Sequence, residues 1–265
     1  MSKLSAKKPL NKQIKKWTII VIVLLIYAWA FWGAPAIEVK DTAITAMKGM
    51  INGLFHPDWG YVYDPAGEDL LRSLLETLAI AVLGTFISAI LCIPLALLAA
   101  RNMSKHRWIS STAKFILSAI RVFPELILAL IFIKAVGLGP FAGILALGVH
   151  SIGMLGKLIG ESIESTNLGA TESLTASGAN KIQTLWFAVV PEVLPAFMSY
   201  TLYRFELSVR AATILGVVGA GGIGAPLIFA LNGHSWDRVG IILLGIIIMV
   251  TIIDVISSSI RRRIV

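Results

Sequence analysis

At 265 residues, 57% hydrophobic and 14% charged, with a mean hydropathy of +0.83, the chain is too apolar for a soluble globular domain of its size. Its formal net charge of +8 is concentrated in short basic blocks beside apolar runs, which points to anionic lipid headgroups and not to nucleic acid. One cysteine, Cys92, excludes an intrachain disulfide and a cysteine metal cluster.

The block 1–16 carries Lys3, Lys7, Lys8, Lys12, Lys15 and Lys16 with no acid, as expected of a cytoplasmic tail. The apolar run 17–37 that follows meets the length of about 20 residues needed to cross a hydrocarbon core as a helix. It also exceeds the roughly 7–15 residues of a signal-peptide core, so it is read as retained despite a cleavage-like Ala34-Pro35-Ala36. The connection 34–72 is acid-rich, with Glu38, Asp41, Asp58, Asp64, Glu68 and Asp69, and is assigned to the outside. Within it, 44–54 has the pattern of a short helix on the membrane surface, and the proline and glycine of 56–61 mark a turn.

A second span, 74–100, leads into an acid-free basic loop with Arg101, Lys105, Arg107 and Lys114. The third, 115–134, is apolar except for Arg121 and Glu125, whose spacing predicts a pair on one helix face. The fourth, 138–158, carries Gly143, Gly148, Gly153 and Gly156, small residues that let backbones approach, and is expected at the centre of the packing.

The loop 160–185 is too polar to cross and too patterned to be slack. Within it, 171–177 reads as a short helix with Glu172 in its first turn and Gly178 at the left-handed position that ends it. Ala176, Ser177, Gly178 and Ala179 then offer a surface almost bare of side chains, against which another protein can press. Spans 186–209 and 239–260 bring the set to six. Pro94, Pro124, Pro191 and Pro195 fall in or beside spans, where bundled membrane helices tolerate the bends. The chain closes on Arg261, Arg262 and Arg263; with both termini inside, the number of spans must be even.

Before the last span, Gly219, Gly221 and Gly224 spell G-x-G-x-x-G, with Gly222 among them. A dinucleotide site there needs a preceding strand in a soluble βαβ unit, which a segment flanked by membrane spans does not offer. The reading is instead that 211–224 forms a re-entrant or gate-lining segment, a plain helix connection being the alternative. Gly156-Lys157 is followed by Leu158 where a phosphate loop needs Ser or Thr, so no nucleotide site remains.

Glu172, Gly178 and Pro191 match the pattern E-A-A-x-x-x-G followed, after nine residues, by I-x-L-P, with Ser173 and Leu174 in place of the two alanines and Ala188 and Val190 in place of the isoleucine and leucine. That pattern marks the permease subunits of bacterial ABC importers. The blocks AVGLGPFAGILAL (135–147), TASGANKIQTL (175–185) and SYTLYRFELSVRAATILGVVGAGGIG (199–224) resemble the phosphonate-importer permeases, a subfamily shared with importers of phosphite and other small phosphorus oxyanions. The likeness covers most of the chain from the second span onward. It implies an all-α, polytopic membrane helix bundle of the methionine-importer-like type over 17–265, in the bacterial inner membrane. It further implies that Glu172, Ala176, Ser177, Gly178, Ala179 and Pro191 belong to the coupling region that docks on an ATPase. The partners it implies are two ATPase subunits, which carry ATP and Mg, a periplasmic or lipid-anchored phosphonate-binding protein, and a second permease copy as a homodimer. This chain itself holds no cofactor and is not an enzyme on that reading.

Charges inside spans are costly, about 2.5–3.5 kcal/mol at a helix centre, and so are functional candidates. Arg204, Glu206 and Arg210, read as lying toward the outer end of the fifth span, combine with Gly219, Gly221, Gly222 and Gly224 as a pathway or gate. Arginine's planar fork suits a phosphorus oxyanion, with Glu206 as its balance; mutual pairing is the other option. Two different functions remain in view: an ion-coupled secondary transporter and an intramembrane enzyme. The latter needs converging catalytic groups, whereas His56, His106, His150 and His234 are scattered and no G-x-S-x-G or H-E-x-x-H occurs.

Overall fold

A computed structural model describes residues 10–33, 41–64, 67, 69–104 and 106–264. By contacts the chain divides into a unit ending at Met47 and a unit running from Lys48 to Val265. In the first unit, helix α1 (Leu10–Gly33) carries no charged residue from Trp17 onward and none of its described side chains is buried. Helix α2 (Asp41–Phe55) begins in the first unit and ends in the second.

The second unit is helical throughout its described residues apart from turns and short connections. After a single 3-10 turn at Trp59–Val62 come α3 (Leu70–Ala99), α4 (Arg107–Val122), α5 (Glu125–Val136) and α6 (Pro140–Glu164). Two short helices follow, α7 (Leu168–Ala176) and α8 (Lys181–Thr184), and then a π-helical turn at Leu185–Val189. The chain ends in α9 (Val190–Val217), α10 (Gly224–Asn232) and α11 (Trp236–Ile264). Five described helices are long and apolar enough to cross a membrane, six if the bent pair α4 and α5 counts as one span.

Helix α6 is the most buried of these spans. A β-carbon on Gly153 would meet the Leu117 carbonyl at 2.8 Å, and one on Gly156 would meet the Leu117 side chain at 2.7 Å, so α4 lies directly against a glycine face of α6. Three apolar clusters fill the unit from one end to the other. Leu117, Leu155 and Ile159 centre the first, Ile80, Leu147 and Leu215 the second, and Leu70, Ile223 and Ile242 the third. Between α3 and α9 the buried hydroxyl of Thr85 donates to Ser208 Oγ at 3.0 Å, a polar contact satisfied within the bundle.

The stretch 115–134, expected as one helix, is broken at Phe123-Pro124, and its halves meet at 86°. Proline disfavours helical backbone in the residue before it, and Phe123 is extended at φ −69° and ψ 124°. The fifth span is longer than the predicted 186–209: α8, the π turn and α9 run continuously from Lys181 to Val217.

The glycine segment is a compact turn followed by α10. Gly219, Gly221 and Gly222 have φ of 90°, 82° and 79°, which side-chain-bearing residues rarely adopt. The turn is pinned on both sides. The Gly139 N–H donates to the Gly219 carbonyl at 2.9 Å, and the Ile223 N–H donates to Thr77 Oγ1 at 2.8 Å. Gly224 is the first residue of α10 and packs against the α9 backbone at Thr213 and Gly216.

Candidate functional site

Two regions carry the functional candidates: the knob formed by α7 and α8, and the charged groups along α9. The α7 helix starts at Leu168, earlier than the 171–177 read from sequence, so Glu172 lies in its second turn, where the dipole of the helix start has largely faded. Asn167 caps the helix, its side chain accepting from the Gly169 N–H at 3.0 Å. At the other end Gly178 has φ +88°, with the Gly178 N–H bonded to the Thr175 carbonyl and the Ala179 N–H to the Leu174 carbonyl, each at 3.0 Å. Glu172, Ala176, Ser177 and Gly178 are exposed and Ala179 is half-buried.

Asn180 and Gln183 form a reciprocal capping box that starts α8, a signal readable as N-x-x-Q. The π turn follows and delivers Pro191 into the first turn of α9. Glu192 ties the two halves together: its Oε1 accepts from the Asn167 N–H at 2.8 Å across 25 residues of chain. The knob is thus fastened to the long helix that runs into the bundle.

Arg204, midway along α9, is 3% exposed and faces the bundle core. Its Nε donates to Ser151 Oγ at 2.7 Å and its Nη2 to Glu125, whose Oε1 also lies 2.8 Å from His150 Nδ1. The predicted Arg121–Glu125 pair is therefore corrected. The helix break at Pro124 puts the two on differently directed helices, and Glu125 is held by Arg204 and His150.

Arg204 is not brought together with Glu206 and Arg210, which lie on another face of α9. Arg210, with its side chain 45% exposed, donates from Nη2 to Glu206 Oε1 at 2.9 Å and to Asp254 Oδ2 on α11 at 2.7 Å. The other oxygen of Glu206 accepts from Arg261 Nη2 at 3.2 Å, and that guanidinium stands 5.6 Å from the Tyr203 ring centroid. Asp254 is a functional candidate that the sequence reading missed; a lone acid inside the last apolar span was the available signal. Its second oxygen is buried with no hydrogen-bond partner among the described residues. The glycine turn at 219–222 lies beside the N-terminal ends of α3 and α6, apart from these charges.

Among the described residues no group of three His, Cys, Asp or Glu side chains is placed to hold a metal ion. What the arrangement offers is a set of guanidiniums held by carboxylates, a donor geometry that also suits other oxyanions.

The profile of the family described as "Binding-protein-dependent transport system inner membrane component" matches residues 92–265. The chain is 42% identical over 253 residues to the phosphite transport system permease protein PtxC of Stutzerimonas stutzeri, covering 95% of this chain and 90% of that protein. It is 36% identical over 240 residues to the phosphate-import permease protein PhnE of Mycolicibacterium smegmatis, covering 90% of this chain and 43% of that one. Among solved structures, an inward-facing conformation of the MetNI methionine ABC transporter superposes with a TM-score of 0.64 at 22% identity, covering 74% of this chain and 96% of the other.

Proposed function

The chain belongs to the family of binding-protein-dependent transport system inner membrane components, and from that premise we propose that its cargo is phosphonate, phosphite or a related small phosphorus oxyanion. It is a non-catalytic permease subunit of an ABC-type importer, a polytopic inner-membrane protein that works with an ATPase and a binding protein. The cargo reading rests on one observation: the near full-length likeness to a permease named for phosphite transport, with a second likeness to one named for phosphate import.

On this reading two copies of the chain enclose one pathway, and two ATPase subunits drive it. The exposed surface at Glu172, Ala176, Ser177 and Gly178, with Ala179 and Pro191 beside it, docks on the ATPase. The bond from Glu192 to the Asn167 N–H gives force on that knob a direct route into α9. Of the charged candidates, Arg210 is the one that meets the anion. It is half exposed and its partners are exchangeable, whereas the Arg204 donors are committed to Ser151 and Glu125. Glu206 balances Arg210 while the site is free, and the turn at Gly219, Gly221, Gly222 and Gly224 closes the outer end.

The test is uptake by the complete importer, reconstituted with its own binding protein and ATPase. Unlabelled phosphonate, phosphite, phosphate and phosphate esters are set to compete with a labelled phosphorus oxyanion, and sulfate serves as the control. The expected result is competition from at least one phosphorus oxyanion and none from sulfate. Failure of every phosphorus compound to be taken up or to compete would remove the reading.

A further inference from the structure

The pairing of Arg210 with Asp254 and Glu206, and of Glu206 with Arg261, forms one connected line along the seam of α9 and α11. The line ends at a cavity of about 540 Å³ lined by Ser199, Ser258, Arg261 and Arg262. By the distribution of Lys and Arg, this end of the bundle is cytoplasmic. We infer that this cavity binds a tetrahedral phosphorus oxyanion group at the cytoplasmic mouth. As an exit station for cargo, the site rests on the reading of the cargo above.

The chemistry of the lining carries the inference. Arg261, Arg262, Ser199 and Ser258 line one open space, and guanidiniums present paired donors that match a phosphorus oxyanion. Arg261 is pre-positioned by Glu206 Oε2 and by the Tyr203 ring, so little freedom is lost when it engages a ligand. Arg262 is exposed and forms no ion pair among the described residues. Ser258 donates to the Val255 carbonyl at 3.0 Å and must redirect its single proton to reach an anion. Ser199, on the facing helix, makes no hydrogen bond among the described residues.

Charge balance points the same way. The line and its mouth contain Glu206 and Asp254 against Arg210, Arg261, Arg262 and Arg263, which leaves positive charge in excess at the end where the cavity opens. The end of α11 opposes this with about half a negative charge from its dipole, less than the unpaired arginines supply. An anion released by Arg210 therefore passes from a charge-neutral seam to a cationic mouth. The phosphate of an anionic lipid headgroup has the same chemistry as free cargo at this position, and the experiment separates the two.

The complete importer is placed in phosphatidylcholine vesicles with its ATPase side outward and with binding protein and cargo inside. ATP hydrolysis is followed as phosphite is added to the outer bath, and again in vesicles containing phosphatidylglycerol. The expected result is inhibition by external phosphite whose half-inhibiting concentration rises about tenfold in the Ser199→Ala, Arg262→Gln double variant, the scale of losing a charge-assisted hydrogen bond. Arg107→Gln, a charge change in the basic loop and outside the cavity lining, leaves that concentration unmoved. If phosphite has no effect but phosphatidylglycerol alters turnover and the double variant abolishes that response, the site stands with a headgroup as its occupant. Wild type and double variant responding alike to both overturns the site. Loss of phosphorus-oxyanion uptake by wild type itself would count against the cargo reading alone, because the lipid arm does not depend on it.

Discussion

Arg204 and Arg210 lie fewer than two turns apart on α9, yet they sit in opposite chemical situations. Six residues turn the helix so that the two side chains leave it about 120° apart. Arg204 points into the core and spends its donors on Ser151 and Glu125; Arg210 points to a half-open seam and shares one Nη2 between Glu206 and Asp254. The difference shows that a charge in a membrane span has two separate uses. A buried charge with fixed partners holds helices together, and a half-exposed one with exchangeable partners can meet a moving ion.

The largest effect is expected on the core side. Glu125→Ala leaves Arg204 buried without its counter-charge and lowers stability by about 3–5 kcal/mol, the scale of breaking a buried pair. The measure is thermal unfolding of the purified complex together with its yield in the membrane fraction. A variant as stable as wild type would end the contrast drawn above.

On the seam side, Arg210→Gln is expected to leave unfolding unchanged while phosphorus-oxyanion uptake falls about tenfold, with ATP hydrolysis retained. Uptake at the wild-type rate would assign Arg210 a structural role like that of Arg204. The smallest effect sharpens the comparison. Asp254→Asn removes one of the two carboxylates holding Arg210, so uptake rises about threefold while stability shifts by less than about 1 kcal/mol, as for other partly exposed pairs. Slower uptake at unchanged stability would show that Asp254 guides the guanidinium to the ion.

The readable parts of the fold were those that local rules govern. The apolar lengths of α3, α6 and α11, the glycine face of α6 and the left-handed close of α7 at Gly178 all follow from a residue and its near neighbours. Pro124 was visible too, but its consequence was not: a proline in a span is compatible with a gentle bend, and the 86° break depends on what α4 and α5 each pack against. The candidate site was half legible. Arg210 and Glu206 are neighbours at i,i+4 and could be paired on paper, whereas Arg261, 55 residues from Glu206, and Asp254, 44 from Arg210, could not.

By itself the sequence determined that this chain lives in a membrane and where a polar, capped segment interrupts the spans. Transfer of apolar groups from water and the placement of basic residues act locally and additively along the chain. Only the tertiary structure decided which arginine is buried among fixed partners and which stands half exposed between two carboxylates. That depends on the rotation of α9 between α6 and α11, a property of how three helices pack that no segment carries alone.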